Sequence, residues 1–204
     1  MELDVVVVAT GTANLASVLA GLKRSGARPR LARSPAEVLT APAAVLPGVG
    51  ALGTAMGKLV RDEMVPALQE RIAAGLPTLA VCLGLQLLAE GSEESPGVPG
   101  LGVFPGMVTR YPDSVRVPQM GWNKIQADPG CQLLQAGYAY FANSFRLEAA
   151  PPGWMAAWCD YAGPFVAALE RGPVLACQFH PELSGDFGQA LLTRWVERAR
   201  QGGE

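Results

Sequence analysis

The chain has 204 residues, half of them apolar, with sixteen basic and eighteen acidic side chains and a net charge of -2 at pH 7. That is enough apolar material for a sizeable core, read here as a single domain over residues 1–204. The balanced charge lacks the basic footprint of a nucleic-acid binder, and the apolar run Leu3 to Ala9 is too short for a membrane span and has no secretory flank. No nucleic-acid or membrane partner is expected, and the location is read as cytoplasmic.

In chain order, "LDVVVVA" (3–9) is a buried strand, and Asn14 to Arg24 carries apolar residues at helical spacing up to Ser25-Gly26. "ARPRLA" and "AAVLP" are two further short strands, the second running into the glycine-rich loop Gly48 to Gly53. Met64 to Ala74 reads as a helix closed by Gly75, and Pro77 to Cys82 as another buried strand leading into an apolar helix-like run. Alternating strands and helices argue for an α/β fold with a parallel sheet covered on both faces. After the Gly/Pro/Ser-rich stretch "GSEESPGVPGLG" (91–102) the grammar changes. The short runs "GMVTRY", "WNKIQ", "YAYFANSF", "WMAAWC" and "FVAALE", set between Pro, Gly and Asp-Pro-Gly turns, predict mostly antiparallel strands. "PVLACQF" is the last strand, and Gly188 to Arg200 a closing amphipathic helix.

The four cysteines, Cys82, Cys131, Cys159 and Cys177, have no CxxC spacing, and one histidine cannot complete a zinc site with them, so neither disulfides nor a metal are expected. Cys82 stands out by position. In "LAVCLGLQLL" it lies where a strand ends and a helix begins, the ligand-binding edge of such a sheet. Backbone N–H groups of a first helical turn favour a thiolate there, and Ala80 and Gly84 flank it as in a nucleophile elbow. By itself this pattern more often marks a small core cysteine.

A nucleophilic cysteine needs a base, and His180 is the sole histidine. It follows the strand "PVLACQF" and so lies at the same edge; if the chain stays extended, Glu182 points to its side and can fix its tautomer through Nδ1. Oxyanion donors would be the Leu83 N–H and the Pro47-Gly48-Val49-Gly50 turn. Gly48 to Gly53 also matches GxGxxG, which makes a dinucleotide-binding oxidoreductase the competing reading from a different class. Against it, the loop follows the third strand, and no acidic residue ends a strand some 20 residues on.

Cys82-Leu83-Gly84-Leu85-Gln86, Phe179-His180-Pro181-Glu182 and the 47–50 loop together resemble the class I glutamine amidotransferases. "VPQMGWN" (117–123) and "YFANSF" (140–145) are similar, more narrowly, to the glutaminase subunits of imidazole glycerol phosphate synthase. The resemblance implies a flavodoxin-like, mostly parallel mixed sheet flanked by helices, with a strand-rich antiparallel second half. It implies catalysis by Cys82, His180 and Glu182, an oxyanion held by Leu83 and the Gly48, Val49 and Gly50 loop, and L-glutamine contacts from Gly50, Gln86 and Ser144. No cofactor is implied. The ammonia would pass to a (β/α)8-barrel cyclase subunit in a heterodimer, with Trp122 and Asn123 toward that partner or Trp122 in the core of the antiparallel layer. The chain departs from the family pattern in "ATGTAN" (9–14), which lacks a tyrosine, and at Leu183, where a lysine is frequent. "FHPEL" also resembles the glutaminase subunit of pyridoxal phosphate synthase, but that subunit's "GGES" loop is missing.

Overall fold

The computed structural model describes residues 2–11 and 14–202, so Thr12 and Ala13 of the first βα turn lie outside it. Five parallel strands form one half of a nine-stranded sheet: β1 (Leu3–Val7), β2 (Ala27–Leu31), β3 (Ala43–Gly48), β4 (Thr78–Cys82) and β12 (Val174–Cys177), in the order β2-β1-β3-β4-β12. The sheet then continues through β11 (Pro164–Arg171), β10 (Met155–Asp160), β7 (Gln119–Ala127) and β8 (Gly137–Asn143), each antiparallel to its neighbour. The predicted change of grammar is thus a change of strand direction within a single sheet. A three-stranded sheet of β5 (Gly91–Ser92), β6 (Met107–Arg110) and β9 (Phe145–Arg146) organises part of the Gly/Pro-rich stretch.

β3 and β4 are buried at every position, as expected for strands covered on both sides. One face packs against α1 (Leu15–Arg24) and α6 (Gly185–Gln201), where Val5, Val7, Leu79, Val81 and Leu175 meet Leu22, Leu192 and Trp195. The other packs against α2 (Pro35–Thr40), α3 (Leu52–Arg61), α4 (Met64–Ala73) and α5 (Leu83–Leu87), with Leu46 and Ala80 against Leu52, Leu59 and Leu68.

The helix α2 does not figure in the sequence reading, although its signal is there. Ser34 caps it by accepting from the Glu37 N–H at 3.3 Å, and Pro35 occupies its first turn. α3 begins inside the GxGxxG stretch. Its amino end is already occupied: Glu94 accepts from the Leu52 N–H at 2.9 Å and Ser95 from the Gly53 N–H at 3.0 Å. A pyrophosphate would need those same donors, so the dinucleotide reading loses its anchor.

Candidate active site

Cys82 occupies a backbone conformation that L-residues rarely adopt, φ 54° and ψ -108°, at the junction of β4 and α5. The turn is sharp because α5 starts immediately, and it is possible because its neighbours are small. A Cβ on Gly84 would lie 2.0 Å from the Leu46 carbonyl oxygen, so only glycine lets α5 pack this closely on β3. A Cβ on Gly48 would come within 2.9 Å of Leu83 Cβ. Since Gly48 pairs in register with Cys82, the 48–50 loop is carried beside the nucleophile's junction. Gly50 follows with φ 83°, a conformation suited to glycine.

His180 follows β12, which lies next to β4, and this adjacency brings together residues far apart in the chain. Its backbone is clamped on both sides: its N–H donates to the Tyr140 carbonyl at 3.0 Å, and its carbonyl accepts from the Ser184 hydroxyl at 2.7 Å. The chain does not stay extended after His180, contrary to the sequence-based assumption. Pro181–Leu183 form a single 3-10 turn, and the turn brings the Glu182 carboxylate to 2.9 Å from His180 Nδ1. Glu182 Oε2 has no partner among the described residues, so the carboxylate serves the imidazole alone.

The Cys82 thiol is also near enough to the imidazole to favour its protonated form. Burial pulls the imidazole pKa down, but the bonds and charges of Cys82 and Glu182 outweigh it and raise the pKa to about 10. The remaining thiols are held protonated. Burial pushes Cys131 up to about 11, Cys159 up to about 12 and the fully enclosed Cys177 well above the ordinary thiol range. All four cysteines are free, and no cluster of metal-ligating side chains occurs among the described residues.

A cavity of about 160 Å³ opens beside Cys82, lined among others by Gly50, Leu83, Gln86, Glu94 and Ser144. Gly50, Val49, Leu83, Gln86 and Ser144, all singled out in the sequence, therefore share a wall with Cys82. Gln86 is buried, and its Nε2 donates to the Phe145 carbonyl at 3.2 Å and to Gln178 Oε1 at 3.0 Å. Sequence reasoning missed Glu94 and Gln178. Glu94 both caps α3 and lines the cavity. Gln178 touches Cys82 Sγ through Nε2 at 3.7 Å; its only sequence signal is that it is the one polar residue within the apolar run "PVLACQF".

The pattern of the family described as Glutamine amidotransferase class-I matches residues 11–199. A solved glutamine amidotransferase shares the fold, with a TM-score of 0.77 at 22% identity over 96% of this chain and 98% of that one. PurLQS from Thermotoga maritima does so with a TM-score of 0.73 at 14% identity over the whole of both chains. The chain belongs to the class-I glutamine amidotransferases. Within that class it is 41% identical to imidazole glycerol phosphate synthase subunit HisH of Symbiobacterium thermophilum, over 94% of this chain and 92% of that protein. The HisH subunit of Thermosynechococcus vestitus is 41% identical over 90% and 91% of the two chains. The chloroplastic hisHF of Arabidopsis thaliana is 38% identical over 91% of this chain, which corresponds to 33% of the plant protein. More particularly, then, the chain is a member of the HisH subunit family.

Proposed function

We propose that this chain is a cytoplasmic glutaminase of one domain, residues 1–204, which releases ammonia from L-glutamine for the synthesis of imidazole glycerol phosphate in histidine biosynthesis. The observation that carries the reading is that adjacent strands bring Cys82 and the Glu182-paired His180 together, with Cys82 beside a cavity on the scale of one small amino acid. Family membership supplies the substrate class, and the geometry supplies the assignment of steps.

In this mechanism the Cys82 thiolate attacks the carboxamide carbon of glutamine, forming the C–S bond and placing negative charge on the former carbonyl oxygen. That oxyanion is received by backbone N–H groups of Leu83 and the Gly48, Val49 and Gly50 loop. His180, protonated and oriented through Nδ1 by Glu182, gives its Nε2 proton to the departing nitrogen, and ammonia leaves as the C–N bond breaks. The neutral imidazole then takes a proton from water, whose oxygen attacks the glutamyl thioester; the C–S bond breaks, glutamate is released and the thiolate returns. Gly50 packs along the substrate, and Gln86 and Ser144 bind its α-amino and α-carboxylate groups. Glu94 adds a negative charge at the cavity wall that suits an ammonium group.

The consumer of the ammonia is a (β/α)8-barrel cyclase subunit bound as a heterodimer. On the antiparallel half, Met120, Trp122 and Tyr138 are 66%, 57% and 60% exposed. They lie on one side of the β7–β8 pair, and Trp122 reaches the start of α6, next to the 3-10 turn that follows His180. Trp122 thus does not fill the core of this layer, and an exposed aromatic bordering the active site suits an interface anchor.

The test is Cys82→Ala assayed in the complex with a candidate cyclase. Glutamine-dependent synthesis is expected to fall by roughly a thousandfold or more, while synthesis from added ammonia continues. Loss of both routes in a folded protein would make Cys82 structural and sink the assignment.

A further inference from the structure

Gln178 is wholly buried at the end of β12, in a segment whose other side chains are apolar up to His180. A buried carboxamide is costly unless both of its ends find partners. Here Oε1 accepts from Gln86 Nε2 at 3.0 Å, and the partner of Nε2 is Cys82 Sγ at 3.7 Å. The second N–H of Gln86 is taken by the Phe145 carbonyl, so both donors of Gln86 are committed. Its carboxamide is therefore fixed in one orientation, with Oε1 as the atom left for the cavity. That atom is an acceptor and selects a donor such as an α-ammonium.

We propose that Gln178 is a positioning residue that joins recognition of the substrate's amine to the nucleophile, through a directed chain of hydrogen bonds running from the ammonium through Gln86 and Gln178 to Cys82 Sγ. Every donor in this chain points toward the sulfur. An ammonium at Gln86 Oε1 polarises the Gln86 N–H, which polarises Gln178 in turn, and the last N–H becomes a better partner for a thiolate. A glutamine lacking its α-amine leaves the chain unpolarised. The inference rests on the glutaminase reading and adds to it the residue that carries substrate selectivity to the reacting atom.

The test uses the full chain and the rate at which iodoacetamide alkylates Cys82, with Cys82→Ser giving the background from the other thiols. In the wild type, glutamine should protect Cys82 at concentrations at least about tenfold lower than glutaramate, the analogue without the amine. Gln178→Met removes both bonds: alkylation should slow by about tenfold, and the preference for glutamine should shrink to within about threefold. Gln178→Glu keeps an oxygen for Gln86 but no N–H for the sulfur, so it should keep the preference and still slow alkylation, a separation that a purely structural role would not produce. A folded Gln178→Met with wild-type rate and preference overturns the proposal; should that variant fail to fold, a wild-type alkylation rate in Gln178→Glu does so. If glutamine does not protect the wild type at all, the glutaminase reading itself has failed.

Discussion

At the scale of single residues, the site depends on one strained backbone position and one shared imidazole. The positive φ of Cys82 costs on the order of 1–3 kcal/mol, which the buried β4 and the close seat of Gly84 on β3 hold in place. The consequence is a thiol aimed at the cavity rather than into the layer behind it. His180 has a second consequence, for stability. Burial lowers its affinity for a proton, but its contacts with Cys82 and Glu182 more than reverse this, taking the pKa from 6.5 to about 10. A group whose folded pKa is raised contributes stability that is complete below 6.5 and lost as pH rises through about 10. Thermal denaturation should therefore show the gap between wild type and His180→Asn narrowing steadily as pH rises across that window. A gap that widened toward alkaline pH would contradict the assigned contacts.

At the scale of elements, the two ends of the parallel strands have separate duties. The carboxyl ends of β4 and β12 deliver Cys82 and, just beyond, His180. At the opposite end, the buried Arg71 of α4 donates to the carbonyls of Val38, Ala41 and Pro77 at 2.8, 2.8 and 2.7 Å, tying α2 and α4 to the start of β4. Burial draws its guanidinium pKa down to about 10. Arg71→Met would strand those carbonyls and should cost about 3 kcal/mol of unfolding free energy, with the KM for glutamine little changed, as measured by denaturant titration and steady-state kinetics.

Much of this division could be read from the chain. β1, β3 and β4 are largely apolar runs, and Cys82 ends one such run while His180 follows another, so their common edge follows from strand polarity. The six residues of α2 carry too little periodicity to announce a helix, although Ser34, Pro35 and Glu37 mark its start. An extended chain would also put Glu182 beside His180, but it reaches the imidazole through a 3-10 turn, which no local periodicity signals. Gln178 and Glu94 are not assigned from sequence because their roles depend on which side chains the fold brings to them; the one local mark, Gln178 as the polar residue of an apolar run, does not say what it binds.

At the scale of the whole molecule, the sheet has two regions of different character. Its parallel half is covered on both faces, while β7 and β8 turn Met120, Trp122 and Tyr138 outward. No helix among the described residues is long and apolar enough to cross a membrane. Trp122 packs edge-on against Tyr140, with ring centroids 6.2 Å apart, and Tyr140 holds the His180 backbone. An interface there would lie one residue away from His180. Trp122→Ala should weaken binding of the cyclase by about tenfold or more in titration calorimetry while leaving the melting temperature nearly unchanged. Unaltered affinity would move the interface elsewhere.

In the proposed reaction the carbon of glutamine's carboxamide passes through a covalent bond to one sulfur. Isotopically labelled glutamine, acid-quenched during turnover in the presence of the cyclase and followed by peptide mapping, tests it directly. The glutamyl label should appear on the peptide containing Cys82 and vanish in Cys82→Ser. Label on a peptide carrying Cys131, Cys159 or Cys177, or undiminished glutamate release by the Cys82→Ser protein, would contradict the account.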